Sequence, residues 1–312
     1  MTLFNGLSAF SITPTDAAGR VDTAALARLL ERIARAGASS IGLLGSTGGY
    51  AYLSRDERRR AVEAAMESVG GKIPVIVGVG ALRTDEAEAL ARDAKAAGAD
   101  GLLLAPMSYT PLTEEEVFRH MASVASAGGL PLCIYNNPGT TRFAFSDSLI
   151  AQLAKVDNIA AIKMPLPADR DFRDELARLR AMTPAGFSIG YSGDWGAADS
   201  LLSGGDAWYS VVAGLLPAEA LSLTRAALAG DRTETERLDQ GFQPLWSLFK
   251  EFGSFRVMYA IADLLGLCRA TPPRPVLPLK AADILRVEAA LQNLKGVAEA
   301  AHAADTSSHA SA

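Results

Sequence analysis

The residues with the clearest capacity for chemistry are one lysine and a set of hydroxyl-bearing side chains that fall where apolar runs give way to turns. In Ala160-Ala161-Ile162-Lys163-Met164-Pro165, Lys163 closes an apolar run of strand type, and proline stops the run almost at once. An amine held at the mouth of a hydrophobic core loses hydration of its ammonium form, so the free base can attack a ketone or aldehyde and form a Schiff base. Judged on six residues, a lysine that merely solvates a strand end is the simpler reading. Where the other polar residues fall decides between the two. The chain has only two cysteines and three histidines, His120 in a predicted surface helix and His302 and His309 in a terminal tail, so zinc and histidine-base chemistry have little to stand on, and no metal or cofactor is expected. Proton transfer then falls to Tyr, Lys, Ser or Thr.

Composition narrows the setting. The 312 residues are enough for one large α/β barrel or two ordinary domains, and the formal charge of −5 comes with no basic run that would track a phosphate backbone. Arg58-Arg59-Arg60 is the nearest to one, but Asp56 and Glu57 precede it within a predicted helix, which points to a solvated face and no nucleic-acid partner. Cys133 lies in an apolar strand, and two cysteines exclude a disulfide framework, as in a reducing compartment. The first residues lack a basic segment followed by a long apolar one, and no apolar stretch reaches membrane-spanning length. A soluble, cytoplasmic protein is expected.

The elements that must position Lys163 repeat along the chain. Leu7–Ile12 reads as a strand ended by Thr13-Pro14, and Asp22 caps a helix with Leu26, Leu29, Leu30 and Ile33 at i, i+3, i+4 and i+7. Ile41–Leu44 follows, then the turn Gly45-Ser46-Thr47-Gly48-Gly49, then a helix that Ser54 and Glu57 box. Ile73–Val77, Gly101–Ala105, Leu132–Tyr135, Ile159–Lys163, Phe187–Tyr191 and Ala207–Val211 complete eight strands. Thr113 and Glu116 box the helix after the fourth, and glycines at 37, 70, 98 and 128 close helices at a spacing of roughly 30 residues. Each strand is a continuous apolar run, so a parallel sheet covered by helices is implied, and eight units make an α/β fold of the (β/α)8 TIM-barrel class. A doubly wound sheet fits less well, because Gly78-Val79-Gly80-Ala81-Leu82-Arg83 lacks the third glycine of a dinucleotide fingerprint. The barrel is expected over residues 1–229 and a C-terminal helical extension packed on it over 230–298. The Ala-rich stretch 299–312 has too little apolar bulk to fold and is expected to be disordered.

In such a barrel chemistry sits at the carboxyl ends of the strands. Ser46 and Thr47 follow strand two, Ser108 and Tyr109 follow strand four, and Tyr135 ends strand five. Lys163 ends strand six, Ser192-Gly193-Asp194 follows strand seven, and Tyr209 closes strand eight. Each has a dull explanation alone; their placement around one rim does not. These residues resemble the dihydrodipicolinate synthase and N-acetylneuraminate lyase family of class I aldolases. The resemblance runs from about Asn5 to Leu294 and rests on Gly45-Ser46-Thr47-Gly48, Tyr135-Asn136-Asn137-Pro138, Ile162-Lys163 and Ser192-Gly193-Asp194. It implies that Lys163 forms a Schiff base with pyruvate or another 2-oxo acid. By the same resemblance Tyr135 relays protons with Ser46 hydrogen-bonded to it, and Thr47 with the adjoining amides, Gly48 included, holds the carboxylate. It further implies substrate contacts from Ser108, Tyr109, Thr140, Gly193 and Tyr209, and a homo-oligomer, dimer or tetramer.

The sequence departs from that family's pattern in the second-substrate pocket. Gly49 stands where the family usually has glutamate, Ser108 where a tyrosine is lent across a subunit interface, and Met164 where a small or acidic residue follows the lysine. Thr140 stands where the synthase has an arginine that grips the aldehyde's carboxylate, with Arg142 two residues further on. A threonine cannot reproduce a bidentate guanidinium fork. Three functions therefore remain open. The favoured one is a lyase or aldolase joining or cleaving pyruvate and an unidentified aldehyde, because the lysine machinery is retained. The others are a 4-hydroxy-tetrahydrodipicolinate synthase using aspartate semialdehyde, and a catalytically silent barrel that binds 2-oxo acids.

Overall fold

The computed structural model describes residues 3–309, with side chains up to Lys295. Each apolar run becomes a short strand because a helix covers its outer face and the barrel interior its inner one. β1 (Gly6–Phe10) leads to α1 (Thr23–Ala36), β2 (Ser40–Leu43) to α2 (Arg55–Val69), β3 (Val75–Gly78) to α3 (Thr84–Ala97), and β4 (Gly101–Leu104) to α4 (Glu114–Gly128). β5 (Leu132–Tyr135) is followed by the short α5 (Pro138–Thr141) and by α6 (Asp147–Leu153), and β6 (Ile159–Met164) by α7 (Phe172–Met182). β7 (Ser188–Tyr191) leads to α8 (Ala197–Leu202) and β8 (Ala207–Ser210) to α9 (Pro217–Leu228). Then come α10 (Arg232–Phe252), α11 (Ser254–Leu264) and α12 (Ala281–His309). The strands pair in parallel in chain order, and β8 returns to β1, so the sheet closes into the (β/α)8 barrel with C-terminal helices.

Period-two alternation splits the core into two layers. On β5, Leu132 and Ile134 pack outward against helices, whereas Cys133 and Tyr135 join the inner cluster with Phe4, Phe10 and Tyr209. On β6, Ile162 and Met164 face outward and Ala161 inward, which turns Lys163 inward as well. The register sets Tyr135 directly beside Lys163 on the neighbouring strand. On the other side Lys163 pairs with Gly190 of β7, which brings no side chain to crowd it.

The helix ends follow the expected chemistry with local differences. Asp22 accepts from the Ala25 N–H, Thr113 and Glu116 form a reciprocal capping box, and Gly37 and Gly98 end their helices in the left-handed region. The cap of α4 is Gly129, one residue beyond the expected Gly128. Gly70 ends α2 with φ −53°, so it is no left-handed cap. At Ser54 only half of the box forms, because the Glu57 carboxylate is taken by the Val21 N–H at 2.7 Å. The last turns of α12 enter the stretch expected to be disordered, in keeping with the helix propensity of alanine. Residues 310–312 of that stretch lie outside the described residues.

Two side chains expected on the surface are buried. His120 turns into the seam between α3 and α4, its Nδ1 3.0 Å from the Thr84 hydroxyl. Arg58 is not part of a solvated face: its guanidinium donates to the Gly78 carbonyl at 2.8 Å and the Gly80 carbonyl at 2.9 Å, and lies over the Tyr50 ring. It closes the carboxyl end of β3, holding the carbonyl of the strand's last residue, Gly78, and that of Gly80 two residues further on. Arg58→Ala leaves both carbonyls unpaired and is expected to cost about 3 kcal/mol in urea unfolding. A loss below about 0.5 kcal/mol, the scatter of ordinary surface changes, would contradict that role.

Candidate active site

Lys163 sits 3% exposed among aromatic rings. Its Nζ lies 4.1 Å from the ring centroid of Phe10, 4.1 Å from that of Tyr135 and 5.6 Å from that of Tyr209. Phe10 reaches this place because the facing wall has no side chains. A Cβ on Gly42 or Gly45 would lie 2.4 or 2.6 Å from the ring, a separation no packed pair tolerates. The amine thus lies closest to two rings, those of Phe10 and of the phenol Tyr135. The Asn137 amide donates to the Tyr135 hydroxyl at 3.0 Å and orients it. Asn137 is itself fixed by its loop, its carbonyl accepting from the Thr141 hydroxyl at 2.9 Å.

A cavity of about 540 Å³ opens over the amine. Ser46 and Thr47 line one side, on the turn after β2, where the Gly49 N–H donates to the Ser46 carbonyl at 3.1 Å. Among the described residues the Ser46 and Thr47 amides make no hydrogen bond, an arrangement suited to an anion. Leu44, which enters the turn, is a buried non-glycine residue at φ 55°, a conformation that costs about 1–2 kcal/mol and is held only by its surroundings. Asn137 and Thr140 also line the cavity, and Leu166, Trp195, Phe249 and Phe255 give it an apolar wall.

The residues singled out in the sequence fall in three places. Lys163, Tyr135, Ser46, Thr47, Thr140 and Gly193 line the cavity. Gly48 packs beneath the turn, where a Cβ would meet the Leu44 Cα at 2.9 Å, and Tyr209 lies fully buried as the floor below the amine. The Tyr209 hydroxyl accepts from the Cys133 thiol at 3.4 Å, and burial pushes both groups up, Cys133 to about 12. Ser108 and Tyr109 sit on the loop after β4 away from the cavity. Ser108 donates to the Thr110 carbonyl, and Tyr109 is 97% exposed. Among the described residues no hydrogen bond joins Ser46 to Tyr135: Ser46 lines the cavity, and the Tyr135 hydroxyl accepts from Asn137 instead. Phe10, Trp195, Phe249 and Phe255 were not singled out, and Asn137 was named only within the motif Tyr135-Asn136-Asn137-Pro138, with no role of its own. Phe10 was legible as the inward residue two after Ser8, opposite Gly42 of β2. The others come from loops and from helices outside the strand repeat, which carry no periodic signal for the rim.

Two further groups shape the rim. Tyr50 follows the same turn with a buried phenol; burial first, then the neighbouring Tyr135, pushes it up to about 12, with Arg58 opposing. Asp194 is buried and accepts from the Trp208 indole at 3.0 Å and from the Val211 and Val212 N–H groups at 3.1 and 2.7 Å, tying the loop after β7 to the end of β8. Burial raises its carboxyl to about 6, against those hydrogen bonds and the charge of Lys163. The folded value thus exceeds the unfolded 3.8, and the folded chain binds more protons between the two. The stability this group contributes is therefore present at the acid end, falls as pH rises towards 6, and is constant above. Asp194→Asn cannot titrate, so its melting temperature is expected to lack that part of the decline. Parallel wild-type and variant profiles between pH 3.8 and about 6 would contradict the assignment.

An eight-stranded barrel that keeps an amine out of water beside a phenol, under a cavity with anion-ready amides, is built for imine chemistry on carbonyl compounds, and the chain is a class I aldolase or lyase. More narrowly, the model of the dihydrodipicolinate synthetase family matches residues 3–294, so the chain belongs to that family. It is similar to a 4-hydroxy-tetrahydrodipicolinate synthase of Methylococcus capsulatus, 36% identical over 254 residues, which cover 81% of this chain and 86% of that one. Among solved structures, a dihydrodipicolinate synthase from Agrobacterium tumefaciens superposes with a TM-score of 0.93 at 62% identity, covering 94% of this chain and 98% of the other. The chloride-inhibited dihydrodipicolinate synthase of Acinetobacter baumannii complexed with pyruvate superposes at 0.84 with 27% identity, covering 94% and 99%. Among the described residues no helix is long and apolar enough to cross a membrane.

Proposed function

We propose that Lys163 forms an imine with pyruvate or a related 2-oxo acid and that the derived enamine joins, or in reverse releases, an aldehyde. The observation that carries this is the Lys163 amine, buried at the end of β6, with the Tyr135 ring 4.1 Å away under an open cavity. The amine attacks C2 of the 2-oxo acid. Tyr135, steadied by Asn137, donates a proton as the carbinolamine loses water, and later carries the proton gained or lost at the aldol oxygen. The Thr47 side chain and the Ser46 and Thr47 amides receive the carboxylate, which sets C3 toward the cavity. Deuterium exchange into the pyruvate methyl in heavy water, with no aldehyde present, tests this half of the reaction. Exchange above the uncatalysed rate is expected. Binding of pyruvate without exchange would favour a silent 2-oxo-acid-binding barrel instead.

A second reading, a 4-hydroxy-tetrahydrodipicolinate synthase, is favoured by the relatives that carry that name; the family resemblance of the sequence implies aspartate semialdehyde as its aldehyde. Against it stands Thr140, whose hydroxyl is 3.3 Å from the Asn137 carbonyl and brings no charge to the rim. Efficient turnover of that aldehyde in a coupled assay would establish the second reading. The proposal also includes self-association, supported by the exposed Leu82 and Tyr109 on the loops after β3 and β4. Sedimentation is expected to show a dimer or tetramer, and a monomer would remove this part.

A further inference from the structure

We infer that the aldehyde partner is uncharged and carries an aromatic or branched apolar group seated on Leu166, Trp195, Phe249 and Phe255; this rests on the imine reading above. Charge is the first argument. Of the side chains that line the cavity, Lys163 is the only cation, and the imine occupies it. Asp194 is the only acid there, and its carboxylate is committed to three donors. Arg142 does not line the cavity: it is exposed at the end of α5 with φ 56°. A second carboxylate would leave water without a guanidinium or ammonium to meet it, which binding sites avoid. A weaker substitute on the lining is the amino end of α11 at Ser254, with about half a positive charge spread over several amides.

Shape is the second argument. Phe249 is buried, and Trp195 and Phe255 are partly so, with faces left toward the cavity. Phe255 stands at the rim because Gly49 has no side chain. A Cβ at Gly49 would already be in contact with the ring at 3.5 Å, and a longer side chain would displace it. The ring is braced, stacked on Tyr52 at 6.2 Å and edge-on to Tyr259 at 5.2 Å. The absence of charge at Thr140 and the aromatic wall behind Gly49 therefore act in the same direction. The cavity of about 540 Å³ exceeds the needs of a three-carbon acid, so the wall is left for the partner.

The step balances without another reactant. C3 of the enamine bonds to the aldehyde carbon as the carbonyl π bond opens, and the new oxygen takes a proton from Tyr135. Water then hydrolyses the imine, which frees the Lys163 amine and a 4-hydroxy-2-oxo acid, and the reverse sequence cleaves that acid. Burial of one ring on the wall is worth roughly 10- to 100-fold in affinity.

The test measures kcat/KM for C–C bond formation with pyruvate and either benzaldehyde or aspartate semialdehyde, alongside deuterium exchange into pyruvate alone. Benzaldehyde is expected to be preferred by roughly 10-fold or more, the lower end of that range. Trp195→Ala and Thr140→Arg are each expected to lower the preference, the first by removing the wall and the second by supplying a cation. Preference of the wild-type enzyme for aspartate semialdehyde overturns the inference and assigns the carboxylate to the amino end of α11. Turnover of neither aldehyde by a protein that exchanges deuterium also overturns it, and leaves the imine reading standing. Absence of exchange removes both.

Discussion

Lys163→Ala is expected to lower C–C bond formation and pyruvate deuterium exchange together by ~10³-fold or more, the scale of losing a covalent nucleophile. No neighbouring amine can substitute, since every other side chain that lines the cavity is neutral or acidic. The same argument predicts that Lys163→Arg fails to rescue, because a guanidinium stays protonated and cannot attack a carbonyl. Pyruvate affinity is expected to suffer less than turnover, since the turn after β2 still presents its amides. Melting temperature separates chemistry from folding: alanine removes an amine from beside two rings without exposing a buried partner. Residual exchange within tenfold of wild type in a folded variant would mean that Lys163 is not the nucleophile.

The second large effect belongs to Tyr135. Tyr135→Phe keeps the ring that lies 4.1 Å from the amine and removes only the hydroxyl that Asn137 orients. Loss of a positioned proton carrier slows turnover by ~10²- to 10⁴-fold. The defect should appear in kcat, with imine formation slowed and still detectable, because the lysine remains. Asn137→Ala, which frees the phenol without removing it, is expected to cost less than Tyr135→Phe. A variant lacking the Tyr135 hydroxyl that turns over within a few-fold of wild type would hand the proton to another group, Tyr50 being the nearest phenol that senses Tyr135.

The barrel was legible because its signal is redundant. Eight apolar runs, each broken by a turn and followed by an amphipathic helix, leave few other ways to bury both faces of a sheet. The pairing of Tyr135 with Lys163 follows once the two strands are neighbours, since each side chain sits at the last inward position. The Ser46-Thr47 turn was legible for a related reason, as glycines bracket it. Arg58 and His120 were misplaced because charge and polarity were read as exposure, whereas both side chains are buried and find partners that no local pattern announces. Tyr209 sits one layer deeper than a rim residue because β8 pairs Tyr209 with Ser8, two residues before Phe10. The apolar wall was the least legible part. Trp195, Phe249 and Phe255 reach the cavity only through the packing of the loop after β7 and of α10 and α11.

The central claim is that a buried amine on β6 becomes covalently joined to a 2-oxo acid. Borohydride reduction in the presence of pyruvate, followed by mass spectrometry of the digested protein, tests it most directly. A reduced pyruvate adduct on the peptide carrying Lys163, with matching loss of activity, is the predicted result. An unmodified Lys163 under conditions where the enzyme turns over, or an adduct confined to another lysine, would contradict it.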